Sequence, residues 1–258
     1  RGHVGKRPAR AAAPRRRRTA IRRALFFGCE RRPEVAVVLL HGLNDSAKCC
    51  AEGVVGLWAA GLPRALMAVP QSPERTPWSD DDDPGYTWFN IGGFFEAQRR
   101  FGEGSPEFEE SVRGLHRSLL KRCEDLDVWL DELLAKHGLS NRELFLAGFS
   151  QGSVLAALVG ARRNARGVIV CGGVPFAGLL RLAALMPKRT TAAFCAVNGT
   201  RDSVVQRGAL EQLLSNCSCE WHWSRGVGHD FPDEWYKIEL AWMQRLLGAE
   251  SRGRVASV

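Results

Sequence analysis

Leu144-Phe-Leu-Ala-Gly-Phe-Ser150-Gln-Gly-Ser-Val-Leu155 passes from a short apolar run into a helix-forming one through Gly148-Phe-Ser150-Gln-Gly152. This is the only Gly-x-Ser-x-Gly in the chain. Asn141-Arg-Glu143 bounds the apolar run Leu144–Ala147, which reads as a buried strand, and Ser153–Arg162 follows with helical composition. A strand that turns sharply into a helix holds the serine at its apex in a strained conformation. The flanking positions then need glycine, because side chains there would meet the neighbouring strand and helix. The same turn brings the first helical N–H groups beside the hydroxyl.

A nucleophile on such an elbow is served by an acid and then a histidine further along the chain. Of six histidines (His3, His41, His116, His137, His222 and His229), only the last two lie far enough downstream. His222 sits in Cys219-Glu-Trp-His-Trp223, which alternates like a strand and suits a structural role. His229 lies in the glycine-rich Gly226-Val-Gly-His-Asp230, a loop able to project an imidazole into a cleft. His229 is therefore the candidate base. Ala192–Val197 reads as a buried strand, and Asn198-Gly-Thr-Arg-Asp202 leaves its carboxyl end, where functional groups gather in open parallel sheets. Asp202 is the candidate acid, to fix the imidazole tautomer. A competing role for it is the cap of a helix starting near Ser203.

Val35–Leu40 is the clearest strand and runs into His41-Gly-Leu-Asn-Asp45. Gly42 lets the chain reverse near the elbow, so the backbone N–H of Leu43 is expected to join that of Gln151 in an oxyanion hole. His41 precedes Ser150, the wrong order for a base. It suits a residue that stiffens the loop by hydrogen bonds.

His41-Gly-Leu-Asn-Asp-Ser46, Val69-Pro-Gln-Ser-Pro73, Trp88-Phe89, Gly148–Gly152, Arg201-Asp-Ser-Val-Val205 and Gly226-Val-Gly-His229 resemble, in order, the blocks of the phospholipase/carboxylesterase family. That family includes acyl-protein thioesterases and small carboxylesterases. The likeness covers about residues 35 to 245. It implies an α/β-hydrolase fold, Ser150, Asp202 and His229 as a triad, and Leu43 and Gln151 as oxyanion donors. It also implies an acyl ester or thioester substrate: a small ester, a lysophospholipid or an S-acylated protein. Asn44 for the usual glycine, Asn198 for the usual histidine and Ser203 for the usual proline depart from the pattern. These bear on substrate choice more than on chemistry. A hydrolase fold kept as a binding module is the alternative; it has no chemical need for an intact Ser-Asp-His set.

The formal net charge of +8 is unevenly placed. Residues 1–32 hold twelve Lys and Arg against Glu30 alone, or +11, which leaves −3 for the rest. This arm reads as a basic, disordered tail, a remnant targeting segment or an electrostatic tether. The mildly acidic core has no basic, aromatic-bearing surface for nucleic acid. The expected hydrolase domain is residues 33–248, with a tail at 249–258. The expected location is the cytoplasm, or an organelle if the arm is a transit segment. No apolar stretch is long enough to cross a bilayer. Eight cysteines show neither a Cys-x-x-Cys pair nor ligand spacing with histidine, so reduced thiols, no metal and no cofactor are expected.

Ser46–Ala60 and Phe108–His137 read as helices, the second with a break near Gly114. Leu66–Val69 and Arg166–Cys171 read as strands, and Asp233–Leu247 as the closing helix. Alternating strands and helices predict a mostly parallel central sheet with helices on both faces and no separate cap domain. Residues 70–107 form a long aromatic-bearing excursion. Trp88 and Phe89 within it are expected to line an acyl pocket.

Overall fold

The computed structural model describes residues 19–80, 82, 84–173, 184–205 and 207–255, with side chains described as far as 248. In chain order come β1 (Ala24–Gly28), β2 (Val35–Leu40), α1 (Ala47–Gly61), β3 (Ala65–Pro70), β4 (Glu74–Arg75), β5 (Tyr86–Thr87), α2 (Gly92–Phe101) and α3 (Pro106–His137). Then follow β6 (Leu144–Phe149), α4 (Gln151–Arg163), β7 (Gly167–Cys171), β8 (Ala193–Gly199), α5 (Arg207–Leu213), β9 (Ser218–Ser224) and α6 (Asp233–Val255).

The main sheet runs β1-β3-β2-β6-β7-β8-β9, parallel throughout except for β1, which pairs antiparallel with β3. Every residue of β2 and β3 is buried, as expected of parallel strands covered on both faces. Ala36, Val38 and Leu40 join one core with α3 and α4; Val35, Val37 and Leu39 join the other with α1 and α6. This is the doubly covered sheet that the alternation of elements predicts, and β6 lies near its middle.

Three local expectations change. The helix from Pro106 to His137 is continuous through Gly114. It starts on the Ser105 cap with Pro106 in its first turn and stops at Gly138 in the left-handed region. The buried stripe Phe108, Val112, Leu115, Leu119, Leu126 and Leu130 runs across the glycine, so packing overrides its low propensity. The excursion contains the β4–β5 ribbon and α2 rather than loop alone.

The arm is also shorter than residues 1–32. Residues 1–18 lie outside the described part of the chain, but β1 is an edge strand of the main sheet and Ile21 is 2% exposed. The Thr19 hydroxyl donates to the Asp125 carbonyl at 2.8 Å. Deleting residues 1–30 is therefore expected to destabilise the domain. The burial of Ile21 alone is worth about 2 kcal/mol, before the loss of the β1–β3 ladder. A chain beginning at Thr19 keeps β1 and is the reference. Equal Tm values for the two chains would show β1 to be dispensable.

Candidate active site

Ser150 stands between β6 and α4 with φ 50° and ψ −114°, far from any relaxed region for a residue with a Cβ. The neighbouring backbones explain the two glycines. A Cβ on Gly148 would lie 2.4 Å from the Gly152 carbonyl group, and one on Gly152 would lie 2.3 Å from Leu40 O and 2.5 Å from His41 O. The end of β2 is thus pressed against the first turn of α4. The Ser150 N–H donates to the Cys171 carbonyl at 2.9 Å, which ties the strained turn to β7.

The structure brings Ser150, His229 and Asp202 together. His229 Nε2 is 3.0 Å from Ser150 Oγ, and His229 Nδ1 is 2.8 Å from Asp202 Oδ2. With Nδ1–H donated to the carboxylate, Nε2 is left to accept the serine proton. The Asp202 side chain is 1% exposed and that of His229 22%, so the acid is enclosed while the imidazole borders solvent. The Phe149 ring lies against His229 with centroids 5.1 Å apart.

Asp202 uses its two carboxylate oxygens separately. Its Oδ1 accepts the N–H groups of Val204 (2.8 Å) and Val205 (2.9 Å), a local cap, while Oδ2 faces the imidazole. The loops carrying Asp202 and His229 are also laced together. Thr200 N–H donates to Ser224 O at 3.0 Å, Arg201 N–H to Val227 O at 2.9 Å, and Gly226 N–H to the Thr200 hydroxyl at 2.9 Å. His222 instead pairs with Glu220 at 2.8 Å on β9.

His41 is fully buried, and burial lowers its pKa to about 4, so the ring is neutral. Its Nδ1–H donates to Gly42 O (2.8 Å), and Nε2 accepts the Ser72 N–H (3.2 Å). This is a loop-stiffening residue. Leu43 follows in the turn, and Gln151 opens α4, where a backbone N–H has no acceptor within the helix. Asn44 has φ 59°, a left-handed conformation that asparagine tolerates where glycine is usual. Its side chain accepts the Thr76 hydroxyl at 2.6 Å. Asn198 is buried between strand ends and accepts Gly173 N–H at 2.9 Å.

Trp88 and Phe89 are not on a wall. Both are 0% exposed and belong to the core between the excursion and α3. Neither side chain presents accessible surface to a cleft in this structure, and the aromatic residues that the excursion leaves exposed are Trp78, Phe95 and Phe101. Sequence reasoning also missed Arg122 and the Gln151 side chain. Arg122 is 2% exposed, with Nη2 2.5 Å from Glu74 and Nη1 2.9 Å from Asp125. Its signal was available: it falls between Leu119 and Leu126 on the apolar stripe of α3, where a charge must have partners.

Behind the elbow, Glu239 of α6 is fully buried and accepts the Cys171 thiol at 2.6 Å. Burial raises its pKa to about 8, so it is neutral at pH 7. A folded-state pKa above the unfolded one means that the native state holds its proton longer. The contribution is full below about pH 4.5 and is lost as pH rises through about 8. Glu239→Gln removes this titration, so the Tm of the parent should fall relative to the variant between pH 6 and 9. A constant difference across that range would place the ionisation elsewhere. All eight cysteines are free thiols, and among the described residues no group of three or more His, Cys, Asp or Glu could hold a metal. No helix among them is long and apolar enough to cross a membrane.

The sequence pattern of the phospholipase/carboxylesterase family matches residues 28–244. The chain is 27% identical over 175 residues to acyl-protein thioesterase 1 homolog 2 of Dictyostelium discoideum, covering 66% of this chain and 70% of that protein. Among solved structures it is similar to esterase PE8, with TM-score 0.66 and 20% identity over 86% of this chain and 98% of the other. It is also similar to SOBER1 of Arabidopsis thaliana (TM-score 0.60, 24% identity, 83% and 99% covered). A third likeness is to a Bacillus cereus carboxylesterase (TM-score 0.58, 19% identity, 86% and 93% covered). These structural likenesses bear on the fold, which is that of the α/β-hydrolases. With the family pattern running from the end of β1 into α6, the chain belongs to the phospholipase/carboxylesterase family of ester hydrolases.

Proposed function

We propose that this protein is a serine hydrolase that cleaves carboxylic esters or thioesters through an acyl-serine intermediate. One observation carries the reading: a single imidazole spans Ser150 Oγ and Asp202 Oδ2 at 3.0 and 2.8 Å. His229 takes the serine proton as Oγ attacks the acyl carbonyl, and Asp202 stabilises the imidazolium. The Leu43 and Gln151 N–H groups hold the oxyanion. His229 returns the proton to the departing alkoxide or thiolate. Water, deprotonated by the same imidazole, then releases the acid and restores Ser150. Family membership supports small esters and lysophospholipids as substrates, and the thioesterase relative supports S-acylated proteins.

The test is labelling with a fluorophosphonate, followed by mapping of the adduct and by turnover of matched esters and thioesters. The expected result is one adduct on Ser150, with labelling and turnover lost together. A folded protein that neither labels nor turns over any acyl substrate would instead be a binding module.

A further inference from the structure

Trp88 commits each of its polar groups to a different element. Its backbone N–H donates to Gln151 Oε1 (2.7 Å), its carbonyl accepts Arg122 Nε–H (2.8 Å), and its indole N–H donates to the His41 carbonyl (2.9 Å). Its ring packs on the His41 imidazole with centroids 4.8 Å apart. The Gln151 amide is held in turn, since its Nε2 donates to Phe89 O (2.8 Å) and to the Thr87 hydroxyl (3.0 Å).

One residue therefore joins the two that carry the oxyanion donors. Gln151 is reached directly, by the Trp88 backbone N–H. Leu43 is reached through His41, whose carbonyl meets the indole and whose Nδ1–H grips the Gly42 carbonyl. A trans peptide unit is planar, so fixing the Gly42 C=O also fixes the direction of the Leu43 N–H. Arg122 makes the junction stiff. Its buried guanidinium cannot leave the Trp88 carbonyl without disturbing its ion pairs to Glu74 and Asp125.

We infer that Trp88, anchored by Arg122, is a positioning residue that sets the separation and direction of the Leu43 and Gln151 N–H groups. This rests on the proposed assignment of those two groups as the oxyanion hole. A preorganised hole accelerates chemistry because its donors need no reorganisation as charge develops.

The test uses Trp88→Phe, which keeps an aromatic ring but loses the indole donor, and Arg122→Lys, which works on the strut from its other end. Each is assayed for kcat and KM on acetyl and longer acyl esters, and for inhibition by an alkylboronic acid. The boronate's tetrahedral serine adduct places an oxygen in the hole. A donor displaced by a fraction of an ångström predicts a fall in kcat of about 10- to 100-fold with KM nearly unchanged. The boronate Ki should rise by the same factor as kcat/KM falls, with an unchanged ratio of long-chain to acetyl activity. The pH profile should hold its shape, because the His229–Asp202 pair is untouched. Parent-like kcat in both variants overturns the inference. So does a loss that grows with acyl length while boronate affinity is kept, which would return Trp88 to the acyl wall. Ser150→Ala, run in parallel, separates this failure from that of the underlying reading: if Ser150→Ala still turns over ester, the site itself has been misassigned.

Discussion

Ser150→Ala is expected to lower ester turnover by at least about 10³-fold while leaving the fold intact. Among the described residues, the Ser150 hydroxyl is the candidate nucleophile held by His229, and that bond is the one its side chain makes there. The Ser153 hydroxyl bonds to the Ser150 backbone carbonyl, a contact that alanine preserves. KM for a small ester should change little, since binding does not depend on Oγ. The decisive measurement is kcat together with fluorophosphonate labelling on protein whose Tm matches the parent. Persisting label in the variant would place the nucleophile elsewhere.

Asp202→Asn is the second large effect, and a more discriminating one. The two carboxylate oxygens do different jobs, so the amide has one sensible orientation. Its oxygen keeps the Val204 and Val205 N–H groups, and its NH₂ must then face His229 Nδ1. A donor at that position selects the imidazole tautomer with hydrogen on Nε2, which can no longer accept the serine proton. The expected loss in kcat is about 10³- to 10⁴-fold, with stability close to that of the parent because the local cap survives. Asp202→Ala should lose both activity and Tm. If Asp202→Asn stays within about tenfold of the parent, another group orients His229.

The candidate site was legible where local rules are strict. Gly148 and Gly152 announce the elbow because nothing larger fits against the Gly152 and Leu40 carbonyls. The order serine, acid, histidine and the loop setting of His229 did the rest. Legibility failed where tertiary contacts override local character. β1 is five residues between Arg22-Arg23 and the turn after Gly28, too short for a periodic signal and masked by the charges around it. Trp88 and Phe89 have the composition expected of a pocket lining. Whether an aromatic side chain faces a cleft or the core depends on partners such as Arg122 and Gln151, 34 and 63 residues away. The double use of Asp202 was visible only as a choice between roles, because sequence does not show that two oxygens can be spent separately.

The lacing of the loops that bear Asp202 and His229 has a consequence for how this protein ages or loses activity on warming. Thr200, Arg201 and Gly226 each give their amide proton to the opposite loop. Neither loop can swing away without releasing protons held by the other, so Asp202 and His229 come apart in one event. Those three amides form a built-in reporter. Their protection against exchange with heavy water should correspond to one common opening free energy, which measures how often Asp202 and His229 are apart, with no substrate in the tube.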